Sequence, residues 1–267
     1  MRDLRNLIDH WHANGQLKII EGADADVDIG AVAEVSGSGA EPPALLFDKV
    51  KGYPQGYRVL INMFQTQRRT ADALGVDDTL RGPALVDAIR KRMEDHKPIP
   101  PKRVASGPIT EHVQRGKDID VFKFPAPKLH KDDSGKYIGT QDAVITKDPE
   151  GGWVNLGTAR VQVQEPSLVS IYISPGKQTR LIAEQYWTKQ QACPVAIVCG
   201  IEPVVTDLRA RLSDNGVDAP IEVVAPDNEL LLDSVAHHAL KLTLNALSTC
   251  TMARMRRGRR LSVPRSQ

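Results

Sequence analysis

The sequence predicts an α+β protein, with an N-terminal α/β domain followed by a domain of antiparallel strands, and three observations carry that prediction. Ahead of Pro98, short apolar runs alternate with stretches whose apolar residues recur at helical spacing. Pro98-Ile99-Pro100-Pro101 then interrupts the chain, because successive prolines cannot continue a helix and favour an extended spacer. Beyond it, strand-like runs bounded by Gly and Pro clusters follow one another with one helical stretch among them. The expected boundaries are 1–101 for the N-terminal domain, 102–232 for the antiparallel domain and 233–267 for an unstructured basic tail.

In chain order, Asp3 to Asn14 carries Leu4, Leu7, Ile8 and Trp11 at helical spacing, and Asn14-Gly15 offers a stop with positive φ. Leu17-Lys18-Ile19-Ile20 is a short strand. Asp28 to Val35 reads as a second helix through Ile29, Val32, Ala33 and Val35, and Ser36-Gly37-Ser38-Gly39 breaks it. Ala44 to Phe47 and Arg58 to Ile61 read as buried strands around the turn Lys51 to Gly56. Arg68 to Leu74 and Ala84 to Asp95 read as helices, the latter amphipathic through Leu85, Ile89 and Met93. His10, His12 and His96 fall in this part, where single histidines on helices serve the surface or the packing more often than a metal.

The candidate site lies between Ser134 and Gln164. Tyr137 to Thr146 reads as a strand, Lys147 to Gly152 as a turn in which Pro149 sets φ, and Ala159 to Gln164 as the returning strand. Alternation puts Arg160, Gln162 and Gln164 on one face and Ala159, Val161 and Val163 on the other. Just before that strand, Asn155-Leu156-Gly157-Thr158 offers an amide oxygen, a backbone free to approach a ligand, and a hydroxyl within one corner. Residue types alone fit a solvated strand face as readily as a site, since an antiparallel sheet often has one wet side. Ser167 to Ser174 is a third strand, Pro175-Gly176-Lys177-Gln178 turns the chain into a helix over Thr179 to Thr188, and Pro194 to Cys199 is a further buried strand. N–H groups at that helix start can hold a phosphate.

The chain of 267 residues is 41% hydrophobic and 25% charged, an ordinary globular composition with a sizeable core. A net charge of +2 argues against a general nucleic-acid field. The local exception is the crowd of Arg254, Arg256, Arg257, Arg259, Arg260 and Arg265, which has no interleaved aromatics and so reads as a solvated end. Cys193, Cys199 and Cys250 fit neither a disulfide framework nor a Cys-x-x-Cys metal site, which points to a reducing compartment. No signal-length or membrane-length apolar run is present, and a cytoplasmic location is expected.

Asp148-Pro149-Glu150-Gly151-Gly152 followed by Asn155-Leu156-Gly157-Thr158-Ala159-Arg160-Val161-Gln162 resembles the cofactor-binding hairpin of the UbiD family of decarboxylases, Asp-Pro-x-x-Gly and then Asn-x-Gly-x-x-Arg-x-Gln. Asp3-Leu4-Arg5, Pro43 to Phe47, and Leu129-His130-Lys131-Asp132-Asp133 are also similar to that family, and the likeness covers roughly residues 1 to 205. It implies a split-barrel flavin-binding second domain, incomplete at its C-terminal side, and non-oxidative decarboxylation of an aromatic or α,β-unsaturated acid. The implied cofactor is prenylated FMN held with Mn²⁺, K⁺ being a further cation, and the flavin takes up the charge left as CO₂ departs.

By the same resemblance Asn155 binds metal and phosphate, Thr158 and Ala159 contact the cofactor through their backbone, and Arg160 joins a catalytic carboxylate network beside the substrate. Lys177 and Gln178 would also meet the cofactor, with Gln178 standing where the family has a metal-binding His, and Asp218 or Glu222 as the remaining ligand. The implied partners are a small carboxylic acid and a further copy of the chain, with no membrane or nucleic acid. The family's Glu-Gly-Pro-Phe-Gly-Glu type motif, which handles protons, is not matched in this sequence. Two readings therefore stand: a decarboxylase or its truncated, inactive form, and a non-catalytic flavin- or phosphate-binding accessory module.

Overall fold

The computed structural model describes residues 4–94, 112–151, 153–201, 229–232 and 249–255. The N-terminal part holds a three-stranded sheet of β1 (Leu17–Glu21), β2 (Ala44–Asp48) and β3 (Val59–Ile61), with β1 parallel and β3 antiparallel to the central β2. Helix α1 (Leu4–Ala13) buries Leu4, Leu7, Ile8 and Trp11, the stripe read from the sequence, and the chain turns away through Gly15 at φ 68°. Helix α2 (Asp28–Gly37) extends into the Ser/Gly stretch expected to break it. Helices α3 (Gln67–Ala73) and α4 (Gly82–Glu94) complete this part.

Arg69 of α3 latches these elements together. Its side chain is only 2% exposed, and the guanidinium donates to three carbonyls, those of Met63 (2.8 Å), Asn62 (3.0 Å) and Gln16 (3.4 Å). Burial lowers its pKa to about 10, so it stays charged at neutral pH and satisfies these backbone oxygens. The helix is started by Thr66, extended at φ −120° and ψ 145°, whose hydroxyl accepts from the Arg69 N–H at 3.3 Å. Thr66→Ala removes that cap and is expected to lower unfolding free energy by about 1 kcal/mol, read as a shifted urea midpoint at unchanged slope.

The second part is a curled antiparallel sheet in the order β4-β9-β10-β8-β5-β6-β7. Its strands are β4 (His112–Arg115), β5 (Tyr137–Lys147), β6 (Val154–Glu165), β7 (Leu168–Ile171), β8 (Cys193–Cys199), β9 (Glu229–Leu232) and β10 (Thr249–Met255), with α5 (Gln178–Thr188) between β7 and β8. The prolines at 98–101 expected to divide the domains lie outside the described residues. One hydrophobic core crosses from one part to the other: Leu7, Trp11, Leu46 and Leu60 pack in the same cluster as Val144, Val161, Val195 and Ile197.

Two sequence expectations change here. Strand β6 starts at Val154 rather than Ala159, so Asn155 to Thr158 belong to the strand and Asn155 pairs with Thr146. Within the tail expected to be unstructured, Thr249–Met255 forms β10 along the edge of β8, while the rest of 233–267 lies outside the described residues. The physical reason is that β8 would otherwise leave a row of N–H and C=O groups unpaired, and Thr249 and Thr251 are β-branched residues that suit such pairing.

Candidate functional site

Hairpin β5–β6 and the start of α5 form the site. Between the strands, Asp148 closes the turn by accepting from the N–H groups of Gly151 (2.6 Å) and Glu150 (2.8 Å), which hold its carboxyl below the usual range. Helix α5 is tied to the same turn: Gln185 donates to Asp148 at 3.0 Å and the Tyr186 hydroxyl donates to the Lys147 carbonyl at 3.1 Å. Its inner face, Ile182 and Ala183, packs on Cys193, whose thiol burial pushes up to about 12 and so keeps unreactive at neutral pH. The helix start is thereby fixed against the middle of β6.

The contact there is close. The Asn155 amide nitrogen donates to the Thr179 hydroxyl at 2.8 Å, both side chains being buried, and a Cβ on Gly157 would stand 3.0 Å from that same hydroxyl. Glycine thus lets the helix start approach the strand. Beside this contact opens a cleft of about 170 Å³ lined by Asn155, Gly157, Thr158 and Ala159 of β6, Val144 of β5, Tyr172 to Ser174, and Lys177 to Thr179. The α5 N-cap, Lys177, makes no side-chain bond to the first turn, and that turn carries no acidic residue. A cation, a helix N-terminus and a buried amide therefore meet in one place, an arrangement suited to a phosphate.

Of the residues expected at the site, Asn155, Thr158, Ala159, Lys177 and Gln178 line this cleft, and Arg160 is not among its lining residues. The bulges of the hairpin fall on β5, so β6 alternates without interruption from Asn155 to Arg160. Five residues apart, those two side chains lie on opposite faces, and Arg160 is exposed. Expecting a corner before Ala159 had concealed this, because alternation governs only residues inside a strand.

The cleft's described donors to a cation, Asn155 and Gln178, are neutral amides, and no cluster of His, Cys, Asp or Glu able to hold a metal occurs among the described residues. That donor set does not fit a divalent centre by itself. Asp218 and Glu222 lie outside the described residues. His130 is exposed on its loop, its N–H bonded to Asp133 at 2.9 Å, and His10 faces Asp72 at 3.2 Å.

Sequence reasoning passes over two contributors to the cleft and one buried acid beside it. Thr179 was seen only as a helix start, although its hydroxyl is the partner of Asn155. Tyr172, 77% exposed, lines the cleft just past β7. Asp142 on β5 pairs with the cleft-lining Ala159, is 1% exposed and is not itself among the lining residues. No N–H or O–H donor among the described residues reaches its carboxyl oxygens, the weak thiol of Cys199 being its polar neighbour, and burial pushes it up to about 8. The signal was available: an acid on the inward face shared with Val144 and Thr146 breaks the apolar pattern.

Comparison with known proteins gives the family. Two domain models of one family match most of the chain, the 3-octaprenyl-4-hydroxybenzoate carboxy-lyase N-terminal domain over residues 8–89 and the Rift-related domain of the same carboxy-lyase over residues 102–211. The chain belongs to the UbiD family. Among its relatives, pyrrole-2-carboxylic acid decarboxylase of Pseudomonas aeruginosa is 27% identical over 240 residues, covering 83% of this UbiD chain and 48% of the relative. A phenolic acid decarboxylase of a Streptomyces species is 31% identical, covering 76% and 44%. Vanillic acid decarboxylase of Sedimentibacter hydroxybenzoicus in closed form superposes with a TM-score of 0.71 at 29% identity, over 77% of this chain and 44% of that one. The UbiD-class enzyme HmfF of Pelotomaculum thermopropionicum, in complex with FMN, superposes at 0.65 with 26% identity, over 76% and 44%. The chain spans about half the length of the curated relatives it matches. No helix among the described residues is long and apolar enough to cross a membrane.

Proposed function

We propose that this chain binds the phosphate end of prenylated FMN in the β6–α5 cleft and serves the non-oxidative decarboxylation of a small aromatic or α,β-unsaturated carboxylic acid. The observation that supports this most directly is the convergence of Asn155, Lys177, Gln178 and Thr179 on one cleft at a helix start without a side-chain cap. The bound cofactor supplies an electron sink for the charge left when CO₂ departs. The chain's own residues have narrower tasks. Lys177 and the first turn of α5 hold the phosphate charge, and the Asn155–Thr179 bond fixes the amide so that its oxygen keeps one orientation. Val144 and Ala159 give the floor an apolar surface that excludes water below the ligand.

A second reading, a non-catalytic flavin-binding module, is favoured by one observation: Arg160, the side chain expected beside the substrate, is exposed and is not among the residues that line the cleft. Reconstitution separates the two. The full chain is incubated with prenylated FMN, desalted, and offered pyrrole-2-carboxylate and phenolic acids, with flavin absorbance and CO₂ release followed together. Retained flavin with CO₂ release is the expected result. Retained flavin without CO₂ selects the binding module, and loss of all flavin on desalting overturns both readings.

A further inference from the structure

The cleft is smaller than the ligand the proposed function puts in it. Sites that enclose a cofactor-sized ligand run to roughly 300–1,000 Å³, whereas this one has about 170 Å³ and counts the phosphate-type donors Asn155, Lys177 and Thr179 in its lining. The remainder of such a ligand must leave over the rim. Tyr172 stands there, 77% exposed, the one aromatic ring among the described residues lining the cleft. It directly follows β7, the edge strand, which is paired to β6 through Val161↔Ile171 and Gln162↔Ser170, so the ring's backbone is anchored although the ring is in solvent. A large apolar ring left in water at a cleft mouth is surface waiting to be covered.

We propose that Tyr172 is the aromatic platform of this site, stacking on the planar ring system of the bound flavin where it emerges from the cleft, and that it sets preference for ring-bearing phosphates over sugar phosphates. This rests on the flavin reading above. The phosphate end would be held by Lys177 and α5, and the ring end by Tyr172, so the two contributions are separable by mutation.

The test titrates the full chain with FMN, followed by flavin fluorescence, and with ribose 5-phosphate as competitor. For Tyr172→Ala the expected result is a loss of FMN affinity of about tenfold, with ribose 5-phosphate binding unchanged, since an aromatic stack on a heterocycle is worth about that factor or more. Tyr172→Phe is expected to keep the affinity while bound-flavin emission rises, because the phenol that quenches it is gone. Unchanged FMN affinity in Tyr172→Ala, or equal losses for both ligands, overturns the role of Tyr172 and leaves the flavin reading standing. If the unaltered chain binds ribose 5-phosphate but not FMN, or binds neither, the flavin reading falls and this inference with it.

Discussion

Asp142→Asn is expected to stabilise the chain, and the gain is expected to grow as the pH is raised from 5 to 8. Burial pushes the Asp142 carboxyl up to about 8, with the Cys199 thiol offsetting a little of that, against about 3.9 in the unfolded chain. Below about pH 4 both states hold the proton and the side chain makes no pH-dependent difference. Between about 4 and about 8 the unfolded chain releases the proton while the folded chain keeps it, so each pH unit removes up to about 1.4 kcal/mol of stability. Above about 8 the loss levels off. Allowing for some relaxation around the carboxyl, the total is roughly 3–5 kcal/mol. Asn has nearly the same shape and cannot ionise, so it removes this loss while keeping the packing against Ala159. Urea unfolding of both proteins at pH 5, 6, 7 and 8 measures it. Stability curves that run parallel across that range would show that the carboxyl is not buried as described.

The second large effect belongs to Gly30, inside α2. A Cβ there would stand 1.8 Å from the Leu129 carbonyl oxygen, 2.6 Å from its carbon and 2.9 Å from its Cα. All three are backbone atoms, so no side chain can swing aside. The Leu129 segment is also held in place: the Lys128 N–H donates to the Ala25 carbonyl at 3.2 Å, and Lys136 pairs with Asp26 at 2.7 Å. Alanine in a helix is favoured over glycine by about 1 kcal/mol, yet here overpacking dominates, and Gly30→Ala is expected to lose about 3 kcal/mol. Gly39→Ala is the control, because a Cβ there meets nothing within 4 Å, and it should stay within about 0.5 kcal/mol. Equal unfolding midpoints for the two variants would remove the close approach from the account. The contact has a functional side, since Leu129 lies on the chain leading into β5, and loosening it would also loosen the hairpin that carries the cleft.

How legible the site was depended on whether a residue's role is local. The stripe of Leu4, Leu7, Ile8 and Trp11 and the turn at Asp148-Pro149 were readable because periodicity and φ preference are properties of neighbouring residues. The motif from Asn155 to Gln162 pointed to the correct strand, but its start was misplaced by five residues, from Val154 to Ala159. With β6 running from Val154, alternation puts Asn155 and Arg160 on opposite faces of one strand, and Arg160 is not among the residues that line the cleft. Strand beginnings are poorly marked when a glycine such as Gly157 sits inside the strand to admit a helix, since glycine ordinarily signals a bend. The tail was misread for a related reason: its arginines dominated the composition, while β10 answers to an open backbone edge elsewhere in the chain.

By itself, the sequence determined the class of the protein, the order of its helices and strands through Cys199 apart from β4, and the segments from which a phosphate-type cleft would be made, because each follows from residues within a few positions of one another. Only the tertiary structure decided which of those residues meet. The Asn155–Thr179 bond joins positions 24 residues apart, Asp142 is isolated by strands from both sides, and one core joins the two parts across the proline-rich spacer. Side-chain alternation is set by where a strand begins, and burial by what packs over it, and both are settled by distant partners rather than by local preference.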